Sequence, residues 1–253
     1  MRETKIASVD GDRFEYFLSG ENGPSLVFLN GFRIPLSSWG RLYPELQTLG
    51  RVFTYNRLGV GKSSKGRVPQ TGTVVVDSLK ALLEQLHVPP PYVLVAHSLG
   101  GIFSILFGQQ YPELVSSIVF VDCPHPEEVE VQKQFKLPFL LQKINNWMRF
   151  VERLFDSYKF SEDECIKETV QQIKTAGEFP AIPIAVVSGV KKIPFVPEAS
   201  FKIHLQFQQR LLELSPNSQQ FIAEKSDHFP QLTEPEVVFE AIREMVSTAK
   251  YIQ

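Results

Sequence analysis

Cysteine is scarce: Cys123 and Cys165 are the only two in 253 residues. Two are too few for a disulfide framework, so both are expected to remain thiols, although their spacing leaves one bridge open. Long apolar runs are also missing, and none reaches the roughly 18 residues of a membrane span. The opening segment MRETKIASVDGDRF is charged from its second residue and has no apolar stretch of the secretory kind. A soluble cytoplasmic protein is the expectation. Nor is there an excess of charge of one sign. Lys and Arg number 26 against 28 Asp and Glu, so the basic surface that a phosphate backbone requires is lacking and nucleic acid is not an expected partner. Repeats and low-complexity linkers are absent. With 43% hydrophobic and 21% charged residues, the composition excludes disorder, collagen and coiled coil, and the length fits one α/β domain.

Strand-like stretches at Lys5 to Val9 and Phe14 to Ser19 flank Asp10-Gly11, a dipeptide suited to the positive φ of a tight hairpin turn. SLVFL (25–29), RVFTY (51–55) and YVLVA (92–96) follow, unbroken rather than alternating, as expected of strands covered on both faces. Val74, Val75, Leu79, Leu82, Leu83 and Leu86 recur at helical spacing between the last two. Further strands are expected at Ile118 to Val121, Ile182 to Val187 and Gln220 to Glu224, then a helix over Val237 to Met245 with Thr233 and Glu236 as its capping box. This order predicts a mostly parallel sheet with helices on both faces.

The interval between Asp122 and Pro180 is too long for one crossover and carries its own helical periodicity, with Leu140, Ile144, Trp147, Met148, Val151, Leu154 and Phe155 on one stripe. A second helical stretch runs from Glu162 to Lys174. Residues 123–180 are therefore expected to form a helical insertion, with 1–122 and 181–253 as the core. The stripe either packs as an ordinary subdomain or partly faces a ligand beneath a cap.

In YVLVAHSLGG (92–101) an apolar strand ends in Ala96-His97-Ser98-Leu99-Gly100-Gly101. Small residues two before and two after a serine suit a turn that strains the serine backbone and brings neighbouring chain close. This segment resembles the nucleophile elbow of the α/β-hydrolases, with Ala96 where the first glycine is usual. The likeness implies an eight-stranded α/β-hydrolase sheet with Ser98 as nucleophile. It also implies a base in chain order after the acid, and His228 in KSDHFPQLTEPE holds that place between the last strand and the last helix. His125 is the weaker rival, whereas His97, adjacent to Ser98, is expected to pack structurally.

The acid is less determined. The strand after the insertion leads into SGVKKIPFVP, with no carboxylate before Glu198. The other position used in the family is the end of the strand after the nucleophile strand, where Asp122 stands in IVFVDCPHP. Asp122 is the expected acid, with a structural Asp122 or Glu198 as alternatives. FLNGFRIPLSSW resembles the family's H-G-x-x segment with Asn30 in place of histidine, so the oxyanion donors implied are the backbone N–H groups of Phe32 and Leu99.

Gly61-Lys62-Ser63 imitates the end of a phosphate-binding loop, but Asn56 stands where its first glycine should be and no helix follows. Arg57, Gly59, Gly61 and Ser63 instead echo the family's D-x-R-G-x-G-x-S segment, a loop bordering the site.

The resemblance spans nearly the whole chain. It implies acyl transfer to water through an acyl-enzyme on Ser98, without metal or organic cofactor. Relatives with an aspartate nucleophile, such as haloalkane dehalogenases and epoxide hydrolases, are disfavoured by the serine. Phenylalanine-rich segments suggest an apolar pocket, with Phe139 and Trp147 as candidate lining, and a small or medium hydrophobic ester, lactone or thioester as substrate. C–C bond hydrolases, cofactor-free haloperoxidases and acyltransferases share this triad, and a hydrolase-like ligand receptor is the alternative of another class. The oligomeric state is left open.

Overall fold

The structure is a computed structural model that describes residues 3–135, 147–194 and 196–249. Eight strands form one sheet: β1 (Lys5–Val9), β2 (Asp12–Ser19), β3 (Ser25–Leu29), β4 (Arg51–Tyr55), β5 (Tyr92–His97), β6 (Val115–Val121), β7 (Ile184–Gly189) and β8 (Ser218–Ala223). Their spatial order is β1-β2-β4-β3-β5-β6-β7-β8. Pairing is antiparallel from β1 to β2 and from β2 to β4, and parallel elsewhere. Asp10 and Gly11 both take positive φ, 49° and 81°, in the hairpin turn.

The central strands are apolar throughout because each feeds two cores. In β5, Leu94 and Ala96 join the cluster under the helices α2 (Gly72–Gln85) and α3 (Leu99–Gln110), whereas Val93 and Val95 join that under α1 (Tyr43–Leu49) and α10 (Pro235–Ala249). β6 alternates likewise, Ile118 and Phe120 on one face and Val119 and Val121 on the other. Each such side chain contributes about 1.5–3 kcal/mol through burial, so neither face tolerates a charge.

The capping box does not form. Thr233 closes a short helix, α9 (Pro230–Thr233), so its backbone is helical rather than the extended form an N-cap needs. Its hydroxyl donates instead to Ser226 Oγ at 2.6 Å, and α10 starts at Pro235.

Between β6 and β7 lie α4 (Pro126–Val131), α5 (147–153), α6 (Ser161–Glu164) and α7 (Ile166–Thr175). α7 packs against α2 and α3, and Gly72 N–H donates to Thr169 Oγ1 at 2.9 Å. The apolar side of α5 is turned outward: Trp147 is 67% exposed and Met148 52%, and Leu154 and Phe155, just past its end, are exposed as well. The opposite, charged side of that helix meets the protein, since Arg149 pairs with Asp163 at 2.7 Å and Arg153 pairs with Glu164. Leu140 and Ile144 lie outside the described residues. No described helix is long and apolar enough to cross a membrane.

Candidate active site

β5 ends at His97, and the chain turns into α3 through Ser98, whose φ of 51° and ψ of −126° are strained for a non-glycine residue. The turn is tight because α3 lies directly on β3. A Cβ on Gly100 would stand 2.2 Å from the Leu29 carbonyl oxygen, so only glycine fits two residues after the serine. Ala96 is fully buried, and its one methyl group is accommodated within the core.

Asp122 follows β6 with a φ of 48°, is 3% exposed, and donates its N–H to the Val187 carbonyl. His228 follows β8. All three residues therefore sit at the carboxyl ends of parallel strands, where open α/β sheets place their ligands. His228 Nδ1 lies 2.7 Å from Asp122 Oδ2, and its Nε2 lies 2.9 Å from Ser98 Oγ. With Nδ1–H donated to the carboxylate, Nε2 presents its lone pair to the serine hydroxyl. Burial alone would raise Asp122, but hydrogen bonds from His204 and His228 outweigh it and hold the carboxyl well below the usual range.

His97 packs as expected and also has a task. Its Nε2 donates to the His228 carbonyl at 2.8 Å, and its ring lies against those of His228 and Phe229. Burial first, then the neighbouring His228, push its pKa down to about 3, so it stays neutral. His125 caps α4 by accepting from the Glu127 N–H, and its ring stacks on Phe207. Glu198 opens α8 (Glu198–Leu212), is solvent-exposed, and faces Lys202. Cys123 and Cys165 are both free thiols, and burial raises the Cys123 thiol far above its ordinary value.

The loop after β3 is fixed from below. Asn30 Oδ1 accepts from Trp39 Nε1 at 2.6 Å, and Asn30 Nδ2 donates to the Tyr55 carbonyl at 2.9 Å. Arg57 donates from Nη1 to the Asn30 carbonyl at 2.6 Å and from Nη2 to the Gly31 carbonyl at 2.9 Å. The same guanidinium grips Glu162 on α6 through Nε and Nη2, at 2.6 and 2.9 Å. Phe32 and Leu99 thus come to border Ser98 in a cavity of 410 Å³ whose far wall includes Val129, Asp163 and Ile166 from the chain between β6 and β7. The Leu99 N–H, first of a helix, has no partner within that helix. Trp147 is not part of this lining, and Phe139 lies outside the described residues.

Sequence reasoning missed His204, on α8. It faces Asp122 Oδ1 through Nε2 at 3.3 Å and Glu128 Oε1 through Nδ1 at 2.8 Å. A signal existed: His204, Phe207, Gln208 and Leu211 share the i, i+3, i+4, i+7 stripe that α8 turns inward, and a histidine on such a stripe needs a partner. Among the described residues no group of three or more His, Cys, Asp or Glu is arranged to hold a metal ion.

The chain has the α/β-hydrolase fold. A family profile described as alpha/beta hydrolase fold matches residues 24–147. Among curated proteins it is 26% identical over 239 residues to an uncharacterized Bacillus subtilis protein, YqjL, a match covering 94% of this chain and 90% of that one. Two other uncharacterized relatives are matched over 28% and 40% of their own length. Among solved structures it is similar to a loop variant of the haloalkane dehalogenase DbeA from Bradyrhizobium elkanii, with a TM-score of 0.70, 16% identity, and 99% and 98% of the two chains covered. It is also similar to the enol-lactonase of Burkholderia xenovorans, with a TM-score of 0.65, 14% identity, and 96% and 100% covered.

Proposed function

We propose that the protein is a serine hydrolase that cleaves a small or medium hydrophobic carboxylic ester, lactone or thioester through an acyl-enzyme on Ser98. One observation carries the reading: His228 Nε2 stands 2.9 Å from Ser98 Oγ while its Nδ1 is held by Asp122. Ser98 Oγ attacks the substrate carbonyl as its proton passes to His228 Nε2. The N–H groups of Phe32 and Leu99 receive the developing oxyanion. The leaving oxygen or sulfur takes the proton from His228, and water then repeats the sequence on the acyl-enzyme, restoring the serine and releasing the acid. Asp122 stays ionised throughout, fixing the tautomer and offsetting the imidazolium. Residues 123–180 act as a cap, supplying Val129, Asp163 and Ile166 to the cavity wall. A volume of 410 Å³ suits a ligand of modest size, and the fold shared with an enol-lactonase is compatible with ester-type chemistry.

A fluorophosphonate probe should label the folded protein stoichiometrically on Ser98, and Asp122→Asn should lower kcat on a p-nitrophenyl ester by about 10⁴-fold through loss of the correct tautomer. Folded wild-type protein that takes up no probe would instead favour a ligand receptor on a hydrolase fold.

A further inference from the structure

Asp122 serves two histidines at once. Oδ2 accepts from His228, while Oδ1 accepts the Gly189 N–H at 3.1 Å and faces His204 Nε2 at 3.3 Å. The other ring nitrogen of His204 faces Glu128 Oε1 at 2.8 Å. Asp122 and Glu128 are each only 3% exposed. An ionised carboxylate offers lone pairs alone, and a neutral imidazole has a single N–H, so neutral His204 could serve one carboxylate and would turn a lone pair on the other. Both contacts are satisfied when both ring nitrogens carry protons.

We propose that His204 is a resident imidazolium, clamped between Asp122 and Glu128, and acts as a positioning residue for the triad. Through Oδ1 it fixes the carboxylate so that Oδ2 stays aimed at His228. Its positive charge also offsets part of the negative charge that Asp122 presents to the site. Burial would push His204 down, but the hydrogen bonds and charges of Asp122 and Glu128 outweigh it and push the group up to about 10. A 160 Å³ cavity beside the clamp brings Lys191 from the end of β7, Asp227 and His228 from the loop after β8, and Glu128 from α4 around His204. This inference deepens the serine-hydrolase reading and rests on it for its catalytic consequence, though the protonation state can be measured without turnover.

¹⁵N NMR of the histidine-labelled protein at pH 8 should show both His204 ring nitrogens protonated; a neutral tautomer there would overturn the proposal. A unit charge beyond one carboxyl, in an effective dielectric of about 20 or more, moves a neighbouring titration by about one pH unit. The acidic limb of kcat/KM for a p-nitrophenyl ester should therefore move up by about that amount in His204→Gln and stay in place in His204→Arg, which keeps the charge and has the cavity to expand into. A merely structural His204 would lower kcat at every pH and leave the limb where it is, and that result would also overturn the proposal. Should His204→Gln not fold, Glu128→Gln supplies the second measurement, since losing one of the two carboxylates must lower the pH at which His204 titrates. Probe labelling separates the failures: an unlabelled Ser98 sinks the hydrolase reading alone, whereas a labelled Ser98 beside a neutral His204 sinks the clamp alone.

Discussion

Removing the Arg57 side chain should damage stability and catalysis by separable routes. Arg57 is 5% exposed and Glu162 7%, and their two hydrogen bonds tie the loop after β4 to α6. In Arg57→Met the Glu162 carboxylate would be left buried without its cation, a loss of about 3–5 kcal/mol. At this chain length about 2–4 °C is lost per kcal/mol, so thermal unfolding should fall by about 10 °C. In Arg57→Met with Glu162→Leu the stranded charge is gone, and most of that stability should return. Activity should not return with it. The carbonyls of Asn30 and Gly31 still lack the donor that holds them, so the Phe32 N–H is no longer aimed, and misplacing a donor by about 1 Å reduces kcat/KM by about 10²-fold. Glu162→Gln, which keeps both carbonyl bonds, should retain most activity. Scanning fluorimetry and p-nitrophenyl ester kinetics on the three variants measure both effects. A double variant that regains full kcat/KM would refute the claim that Arg57 positions the oxyanion loop, and an Arg57→Met protein melting within about 2 °C of wild type would refute the buried-pair cost.

Two further outcomes follow from the same contacts. Gly100→Ala places a methyl carbon 2.2 Å from the Leu29 carbonyl oxygen and 2.8 Å from that of Asn30, so it should cost about 1–3 kcal/mol by overpacking and lower kcat by shifting Ser98; unchanged urea midpoint and kcat would show that α3 can move off β3 freely. Stability against pH is the second. The folded state holds the His204 proton more tightly than the unfolded chain, so its stabilisation is complete below 6.5 and is lost as pH rises towards about 10. Asp122 has the opposite sign, its contribution being present above 3.8 and lost as pH falls below that. Urea midpoints of wild type should therefore decline between pH 7 and 10 more steeply than those of His204→Gln, and parallel curves would contradict the raised His204 value.

The sheet was legible because its strands are local and two-sided. An unbroken run such as Val93 to Ala96 has few stable places other than between two helical layers. The apolar stripe around Trp147 is helical through Val151, while Leu154 and Phe155 fall in the turn that follows α5, and its spacing does not show which way it faces. Periodicity says which residues share a side; what that side faces is decided by partners elsewhere, here Asp163 and Glu164, which pair with Arg149 and Arg153 while Trp147 stays exposed. His204 and Glu162 escaped for the same reason, since each acts through a residue 82 or 105 positions away.

The placing of the acid turns on a residue whose part no sequence pattern reveals. In many members of the family a carboxylate follows the strand after the insertion within a few residues of its end; here β7 ends on Gly189, and a Cβ there would fall 1.9 Å from the Asp227 carbonyl oxygen. No side chain can occupy that position without moving the turn that delivers His228. Gly189 instead lends its N–H to Asp122 Oδ1, so β7, which brings no carboxylate of its own there, helps hold the one that follows β6. The lysines that follow, which in the sequence only signalled a missing carboxylate, place Lys191 beside the His204 cavity, and its N–H donates to the Ser226 carbonyl at 2.9 Å. Moving the carboxylate to position 189 would therefore take three coupled changes, a bulkier residue at 189, a displaced Asp227 turn and a vacated Asp122. Asp122→Asn combined with Gly189→Asp should accordingly recover no kcat over Asp122→Asn alone, and recovery of even about 10-fold would show that the turn before His228 yields more readily than a backbone contact of this kind allows.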